Sequence, residues 1–340
     1  MNAEEKPVPV VSVIVPNYNY ARFLGERMES IFNQTFTDYE IILLDDASTD
    51  DSVRMLREYA GHPAVSCLCV NETNSGNPFV QWRKGIEMAR GKYIWIAESD
   101  DSADSRFLER SVMLLERHEE AVLSFSASVL VDENTNPYTD TDADHWHRRK
   151  IGSGTYFLYD GNEFNMHCQL WDNYIYNASG AVFRNSASLM KIIDRAVRYR
   201  YSGDWFFWTC IANMGNVIIL NERLNLFRRH SVCVTNIGRK DAAYLKEEAE
   251  YITMMFSLYD ISPYRRLMRI GSLLRKIRRS GFDAGIRKCL SEHIASLFGV
   301  NVDVVYALYY LNRQLAKVLP VIPIEKWDYR HPTVSNVSPI

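Results

Sequence analysis

Much of what this chain lacks bears on its chemistry. It has 340 residues and only six cysteines, too few to scaffold a fold of this length. With no Cys-x-x-Cys pair, a zinc site is not expected. Cys67 and Cys69 alternate on one strand-like run and the others are scattered, which reads as free buried thiols in a reducing compartment. There is no charge excess either: 39 basic against 42 acidic residues give a net charge of −3, so nothing global steers the protein to nucleic acid. No run of about 18 residues is free of charge and strong polarity, so no membrane-spanning helix is expected. The first ten residues, MNAEEKPVPV, are acidic and poor in apolar groups, unlike a secretory leader. A cytoplasmic protein is the expectation. No Gly-x-Gly-x-x-Gly follows the first strand-like run and no Walker loop occurs, which counts against a dinucleotide dehydrogenase and a P-loop ATPase.

What is present is globular. Apolar residues make up 47% and charged residues 24%, and the length suits about two domains. The β-branched run at 10–15 predicts a strand buried on both faces. Leu24, Met28, Ile31 and Phe32 then follow at helical spacing. The alternation repeats: strands over 39–44, 64–70, 92–97 and 121–131, with helices around Leu56, Trp82 and Val112 between them. This pattern predicts an α/β fold, a doubly wound, mostly parallel central sheet with helices on both faces. A polar, aromatic-rich stretch over 132–175 reads as a long substrate-facing loop. A helix over 204–214 and a strand over 217–220 follow, and from about 241 the pattern turns helical.

In doubly wound sheets ligands bind beyond the carboxyl ends of the strands. Here those ends carry Pro16-Asn17-Tyr18-Asn19, Asp45-Asp46 and Glu98-Ser99-Asp100-Asp101. Carboxylates repel a diphosphate, so they hold one through a divalent cation. An acidic nucleotide site therefore implies Mn2+ or Mg2+.

These segments resemble the inverting family 2 glycosyltransferases of GT-A fold, in the type that builds bacterial surface polysaccharides. The resemblance rests on five stretches in order: VSVIVPNYN at 11–19, EIILLDDASTDDS at 40–52, GIEMARGKYIWIAESDD at 85–101, GDWFFW at 203–208 and LNLFRRHS at 224–231. It covers about residues 10–235, and implies a transferase domain over 1–235 with a helical C-terminal extension over 236–340. It places Pro16 and Tyr18 against the nucleobase and makes Asp46 the acceptor of a base N–H, N3–H for uracil. The Glu98-Ser99-Asp100 triplet stands where the family has Asp-x-Asp, so Asp100 matches the metal ligand on the diphosphate. Glu98 replaces the first Asp, and its partner stays open between ribose, sugar and metal. Asp101 supports this acid or touches the donor sugar. Asp204 matches the general base that takes a proton from the acceptor hydroxyl. The Glu common before it is here Gly203. His230 matches a position closing over the diphosphate, as metal ligand or phosphate donor. Asn74, Gly76, Lys84 and Arg229 are further candidate contacts to donor or phosphate.

The resemblance implies a nucleotide-sugar donor, most often a UDP-sugar, and a glycan or lipid-linked glycan acceptor. Competing readings are a sugar-phosphate nucleotidyltransferase and an inactive glycan-binding homologue. The first needs a Gly-rich basic loop where Pro16-Asn17-Tyr18-Asn19 stands, and the second predicts loss of acids that are present. Asp140, Asp142, Asp144, His145 and His147 offer a weaker metal cluster. Trp146, Tyr156, Tyr159, Trp171 and Tyr174 are candidates to stack on acceptor sugars. The basic segment 265–288, nine Lys or Arg against Asp283 alone, is a candidate for contact with an anionic membrane.

Overall fold

The computed structural model describes residues 7–139, 156–230 and 241–318. Strand and helix alternate as the periodicity predicts: β1 (Val11–Asn17), α1 (Ala21–Phe32), β2 (Tyr39–Asp45), α2 (Ser52–Tyr59), β3 (Val65–Val70), α3 (Pro78–Met88) and β4 (Tyr93–Ile96). Next come β5 (Ser102–Ala103), α4 (Phe107–Arg117), β6 (Ala121–Val131), β7 (Tyr156–Tyr159), α5 (Gly161–Phe164), β8 (Ala181–Arg184), α6 (Leu189–Ala196), α7 (Gly203–Ala212) and β9 (Asn216–Arg228). The described chain ends in α8 (Ala242–Leu258), α9 (Pro263–Arg279), α10 (Ala284–Phe298) and α11 (Val302–Val318).

The strands form one sheet in the order β3-β2-β1-β4-β8-β6-β9-β5, with β7 also paired to β9. The β1–β2, β1–β4, β2–β3 and β6–β9 pairs are parallel, and β8 lies antiparallel between β4 and β6. Thus β1, β2, β3, β4, β6 and β9 run one way and only β5, β7 and β8 the other. In β1 the period of two decides the layers. Val11, Val13 and Val15 pack with Leu24, Met28 and Ile31 of α1, while Ile14 faces Phe79, Trp82 and Ile86 of α3. Each aliphatic side chain so buried contributes roughly 1.5–3 kcal/mol. A third core joins α8, α9 and α10 to Leu170 and Trp205, so the C-terminal helices pack on α7 and on the segment before it.

The loop expected over 132–175 is only partly a loop. Residues 156–159 pair with β9 from Tyr156↔Leu220 to Tyr159↔Val217, and α5 runs on into a wide π turn over Asn165–Gln169. Tyr156, Tyr159 and Tyr174 are buried in the core. Their hydroxyls made the stretch look polar, but their rings are packing, so these three are not sugar platforms. Trp171 is half-buried against the C-terminal helices. Trp146 and the cluster from Asp140 to His147 lie outside the described residues. β8 escaped detection because its apolar run, Ala181-Val182-Phe183, is only three residues long. The described cysteines are free thiols, but of them only Cys168 is buried; Cys67, Cys69 and Cys210 are half-buried and Cys289 is exposed.

Much of the basic segment is anchored internally. Arg269 and Lys276 both bind Glu248 at 2.8 Å, and Arg278 binds Asp303 at 2.5 Å. The guanidinium groups of Arg265, Arg266 and Arg287 donate to backbone carbonyls. No single helix among the described residues is long and apolar enough to cross a membrane.

Candidate active site

The parallel register puts the ends of β1, β2 and β4 side by side, with Asn17 opposite Asp45 and Ile14 opposite Ile96. The expected acids therefore emerge from one sheet edge. Tight turns hold them there. Ser99 Oγ donates to the Pro16 carbonyl at 2.7 Å. The Asp45 carboxylate accepts from the Ser48 N–H and hydroxyl and from Asn17 Nδ2, all within 2.8 Å. Asp45 thus closes its own turn, which leaves Asp46 to face the site. The turns after β1 and β2 need left-handed backbone at Asn19 and Ala47, with φ of 57° and 62°. Asn adopts this readily, whereas Ala pays for it in strain.

Asp46 is a collecting point for donors. Its Oδ1 accepts from Asn71 Nδ2 at 2.7 Å and from Gln81 Nε2 at 2.8 Å. Its Oδ2 accepts from the Ser75 hydroxyl at 2.7 Å, and the Ser75 N–H spans both oxygens at 3.1 Å. Asn74 Nδ2 donates to the Asp46 carbonyl at 3.1 Å and its Oδ1 accepts from the Gly76 N–H. Gly76 sits at φ 69°, a conformation that costs glycine little. Lys84 donates to Asn71 at 2.9 Å. So Asn74, Gly76 and Lys84 serve this network by shaping the 71–77 loop. Tyr18 stands at the rim, exposed.

Around β4 the acids are packed more tightly. Glu98 Oε1 accepts from the Trp82 indole N–H at 2.7 Å. Its carbonyl accepts from Arg27 Nε at 2.8 Å. The Ser179 hydroxyl donates to Asp101 at 2.6 Å while accepting the Glu98 N–H at 3.0 Å. Asp101 also accepts the Arg228 N–H at 2.9 Å. The Arg228 side chain, 1% exposed, donates to the Asp100 carbonyl at 2.8 Å and to Glu26 at 2.6 Å. Asp101 therefore braces the cluster from behind. Burial, then the Asp100 charge, raises Glu98 to about 8 and Asp101 to about 7. The positive charge that lowers both is Arg27, fully buried on the Trp95 ring, with both terminal nitrogens lacking hydrogen-bond partners.

Asp100 Oδ2 lies 3.1 Å from His230 Nε2. The imidazole is wedged between Tyr20 and Phe23, each with its ring centroid 5.5 Å away. Among the described residues no three His, Cys, Asp or Glu side chains converge as a preformed cage. One carboxylate and one imidazole, beside acids short of positive charge, do fit Mn2+ or Mg2+ completed by phosphate oxygens and water. Arg229 lies with its guanidinium over the Phe227 ring at 5.8 Å.

Asp204 is the second residue of α7, inside its first turn. Its Oδ1 accepts the Trp205 N–H and its Oδ2 accepts from Asn173 Nδ2, both at 2.7 Å. Burial raises its pKa to about 6. Gly203 has a packing reason: a Cβ there would lie 2.5 Å from the Phe79 ring and 2.8 Å from the Ala196 carbonyl. A Glu at 203 does not fit. A carboxylate reaches the same helix end from α8 instead, where Glu247 accepts the N–H groups of Arg200, Tyr201 and Ser202 at 2.8–2.9 Å. Helix α3 links the two halves of the site, since Trp82 holds Glu98 and Phe79 touches Gly203.

Trp82, Arg27, Ser179 and Asn173 were not foreseen. Arg27 did leave a signal: it shares the buried stripe of α1 with Leu24, Met28 and Ile31, and an arginine in such a stripe needs buried acids nearby. The others come from segments distant in sequence.

This arrangement is that of a GT-A glycosyltransferase. Over 91% of both chains the fold matches that of Staphylococcus aureus TarS, with a TM-score of 0.58 at 15% identity. It also matches the mannosyltransferase PcManGT from Pyrobaculum calidifontis, solved with GDP-Man and Mn2+ (TM-score 0.51, 17% identity, 93% and 85% covered). An uncharacterized glycosyltransferase, MJ1057 of Methanocaldococcus jannaschii, is 30% identical over 66% of this chain and 72% of its own length. Escherichia coli chondroitin synthase is 39% identical, but over only 29% of this chain and 14% of its own length. The family model "Glycosyl transferase family 2" matches residues 12–188. The chain belongs to that family, an enzyme that transfers a sugar, and the nucleotidyltransferase alternative falls away.

Proposed function

We propose that the protein moves a sugar from a UDP-activated donor to a hydroxyl of a glycan or lipid-linked glycan, inverting the anomeric carbon. The observation that carries this reading is Asp204. A carboxyl raised to about 6 by burial is still mostly ionised at neutral pH and is a competent proton acceptor there. In this reading Asp204 takes the acceptor proton as the hydroxyl oxygen attacks the anomeric carbon from the face opposite the diphosphate. The base stacks at Pro16 and Tyr18 and gives its N–H to Asp46, while Glu98 faces the ribose or sugar. Asp100 and His230 would hold Mn2+ or Mg2+, which neutralises charge on the leaving diphosphate. Two solved relatives with donor or metal support the choice: TarS was crystallised with UDP-GlcNAc and PcManGT with GDP-Man and Mn2+.

The test is thermal unfolding with UDP, GDP, CMP or TDP, each with and without Mn2+. A ligand that binds only the folded state raises the midpoint. The expected result is a metal-dependent shift with UDP that Asp46→Asn removes. A shift with GDP alone overturns the uracil assignment, and no shift with any nucleotide overturns the donor reading.

A membrane contact through 265–288 would rest on fewer free cations than the sequence suggests. With many of those bases anchored, the outer face of α11 offers the better footing. It presents Val304, Leu308, Leu311 and Leu315, 40–54% exposed and three or four residues apart. We place there a peripheral contact with the inner face of a membrane that carries the acceptor.

A further inference from the structure

The family chemistry leaves the C-terminal helices without a role. Their contacts converge on one short turn, residues 169–174. Tyr251 of α8 donates its hydroxyl to the Gln169 carbonyl at 2.9 Å, and the Trp205 indole donates to the same oxygen at 2.8 Å. Arg269 Nε of α9 donates to the Leu170 carbonyl at 2.5 Å. Arg269 is itself fully buried and fixed by Glu248, which Lys276 also holds. Inside the turn, Gln169 Oε1 accepts the Tyr174 N–H at 2.8 Å and Asp172 accepts the Asn173 N–H at 3.0 Å. These ties fix the backbone before and after Asn173. Asn173 then spends its amide on Asp204 Oδ2 at 2.7 Å, and its own Oδ1 is buried without a hydrogen-bond partner.

From this chain of contacts we infer that Asn173 is the positioning residue of Asp204, held in place by the C-terminal helices through Tyr251 and Arg269. The inference rests on Asp204 being the base of the proposed reaction. A carboxylate with two free rotors faces many directions; two donors, one on each oxygen, leave it one. The lone pairs not used by Trp205 and Asn173 are then the ones that meet an acceptor hydroxyl. An N–H donor to the ionised form also favours that form, so Asn173 counteracts part of the rise that burial imposes. Other charged or titratable groups face the same place: Asp172 in the turn, Tyr244, Glu247 and Glu248 on α8, and Arg269 and Lys276 on α9. All of them remain unchanged in the Asn173 variants below, and only Arg269 is altered in the third.

The experiment is a titration of the full chain labelled with 13C at the aspartate carboxyl carbon, read by NMR. Asp204→Asn identifies the resonance by its loss. The expected wild-type midpoint is about 6. Asn173→Leu removes the donor and moves it upward by about one pH unit. Asn173→Asp removes the donor and adds a like charge, and moves it further. Arg269→Met frees the turn and shifts the midpoint in the same direction by less. Unfolding midpoints for each variant show that the fold is intact. An Asp204 resonance that does not move in either Asn173 variant overturns the inference. If the resonance moves but the acid limb of sugar transfer does not follow it, the positioning stands and the assignment of Asp204 as base fails.

Discussion

The indole N–H of Trp82 meets Oε1 of Glu98 at 2.7 Å, and this pairing explains why a glutamate stands where an aspartate is usual. The longer side chain reaches the indole on α3, and an aspartate falls about one methylene short. Glu98→Asp, although it restores the common motif, is expected to weaken the enzyme. Leaving the indole N–H unpaired costs about 1–3 kcal/mol, and donor binding falls about two- to tenfold if half of that is felt there. Calorimetry with UDP and Mn2+ reads it, and an Asp variant that binds at least as well as wild type refutes the pairing. Trp82→Phe keeps the ring packing and should show a similar loss.

Activity should fall on the acid side with a midpoint near 6, because Asp204 must be ionised to accept a proton and its pKa is raised to about 6. Stability moves the other way. A carboxyl with a raised folded pKa stabilises the fold fully below its unfolded value of 3.8, and that contribution is lost as pH rises toward about 6. Asp204→Asn should abolish turnover, keep UDP binding, and remove this part of the pH dependence of unfolding. Retained turnover would show that the proton goes elsewhere.

Glu248 is fully buried between Arg269 and Lys276. Burial pushes its carboxyl up, but the two cations more than offset this and its pKa is lowered. Glu248→Ala leaves a buried guanidinium unpaired and should cost about 3–5 kcal/mol by urea unfolding. With the folded pKa depressed, the Glu248 contribution is present above its unfolded pKa and lost as pH falls through the folded one. A variant within about 0.5 kcal/mol of wild type, the range of ordinary surface changes, would show that the triad is not structural.

The outer face of α11 supplies a prediction about lipid. Leu308→Glu with Leu311→Glu should reduce flotation with anionic vesicles severalfold while leaving UDP binding unchanged, since neither residue nears the acids. Wild-type protein that fails to float with any vesicle removes the proposal.

How much was legible in sequence follows the range of the forces involved. The buried strands at 10–15, 39–44 and 121–131, and the acids that end β1, β2 and β4, are local patterns, and a parallel sheet must bring such ends to one edge. The acids at 45–46 and 98–101 could therefore be located from residue type and order, whereas the choice of Asp46 and Asp100 among them, and the naming of Asp204, rested on the family resemblance. β7 was hidden because tyrosines look polar in composition yet bury their rings, and β8 because its apolar run is only three residues long.

The sequence by itself determined the alternation, the sheet edge and the acidic character of the site, because each depends on residues near one another in the chain. Only the tertiary structure decided which side chains hold those acids. Trp82 reaches Glu98, Ser179 bridges Asp101 and Glu98, and Asn173 reaches Asp204, across separations of 16 to 81 residues. Hydrogen bonds act over about 3 Å. Such partners are chosen by packing, once burial of the strands and helices has brought remote segments together.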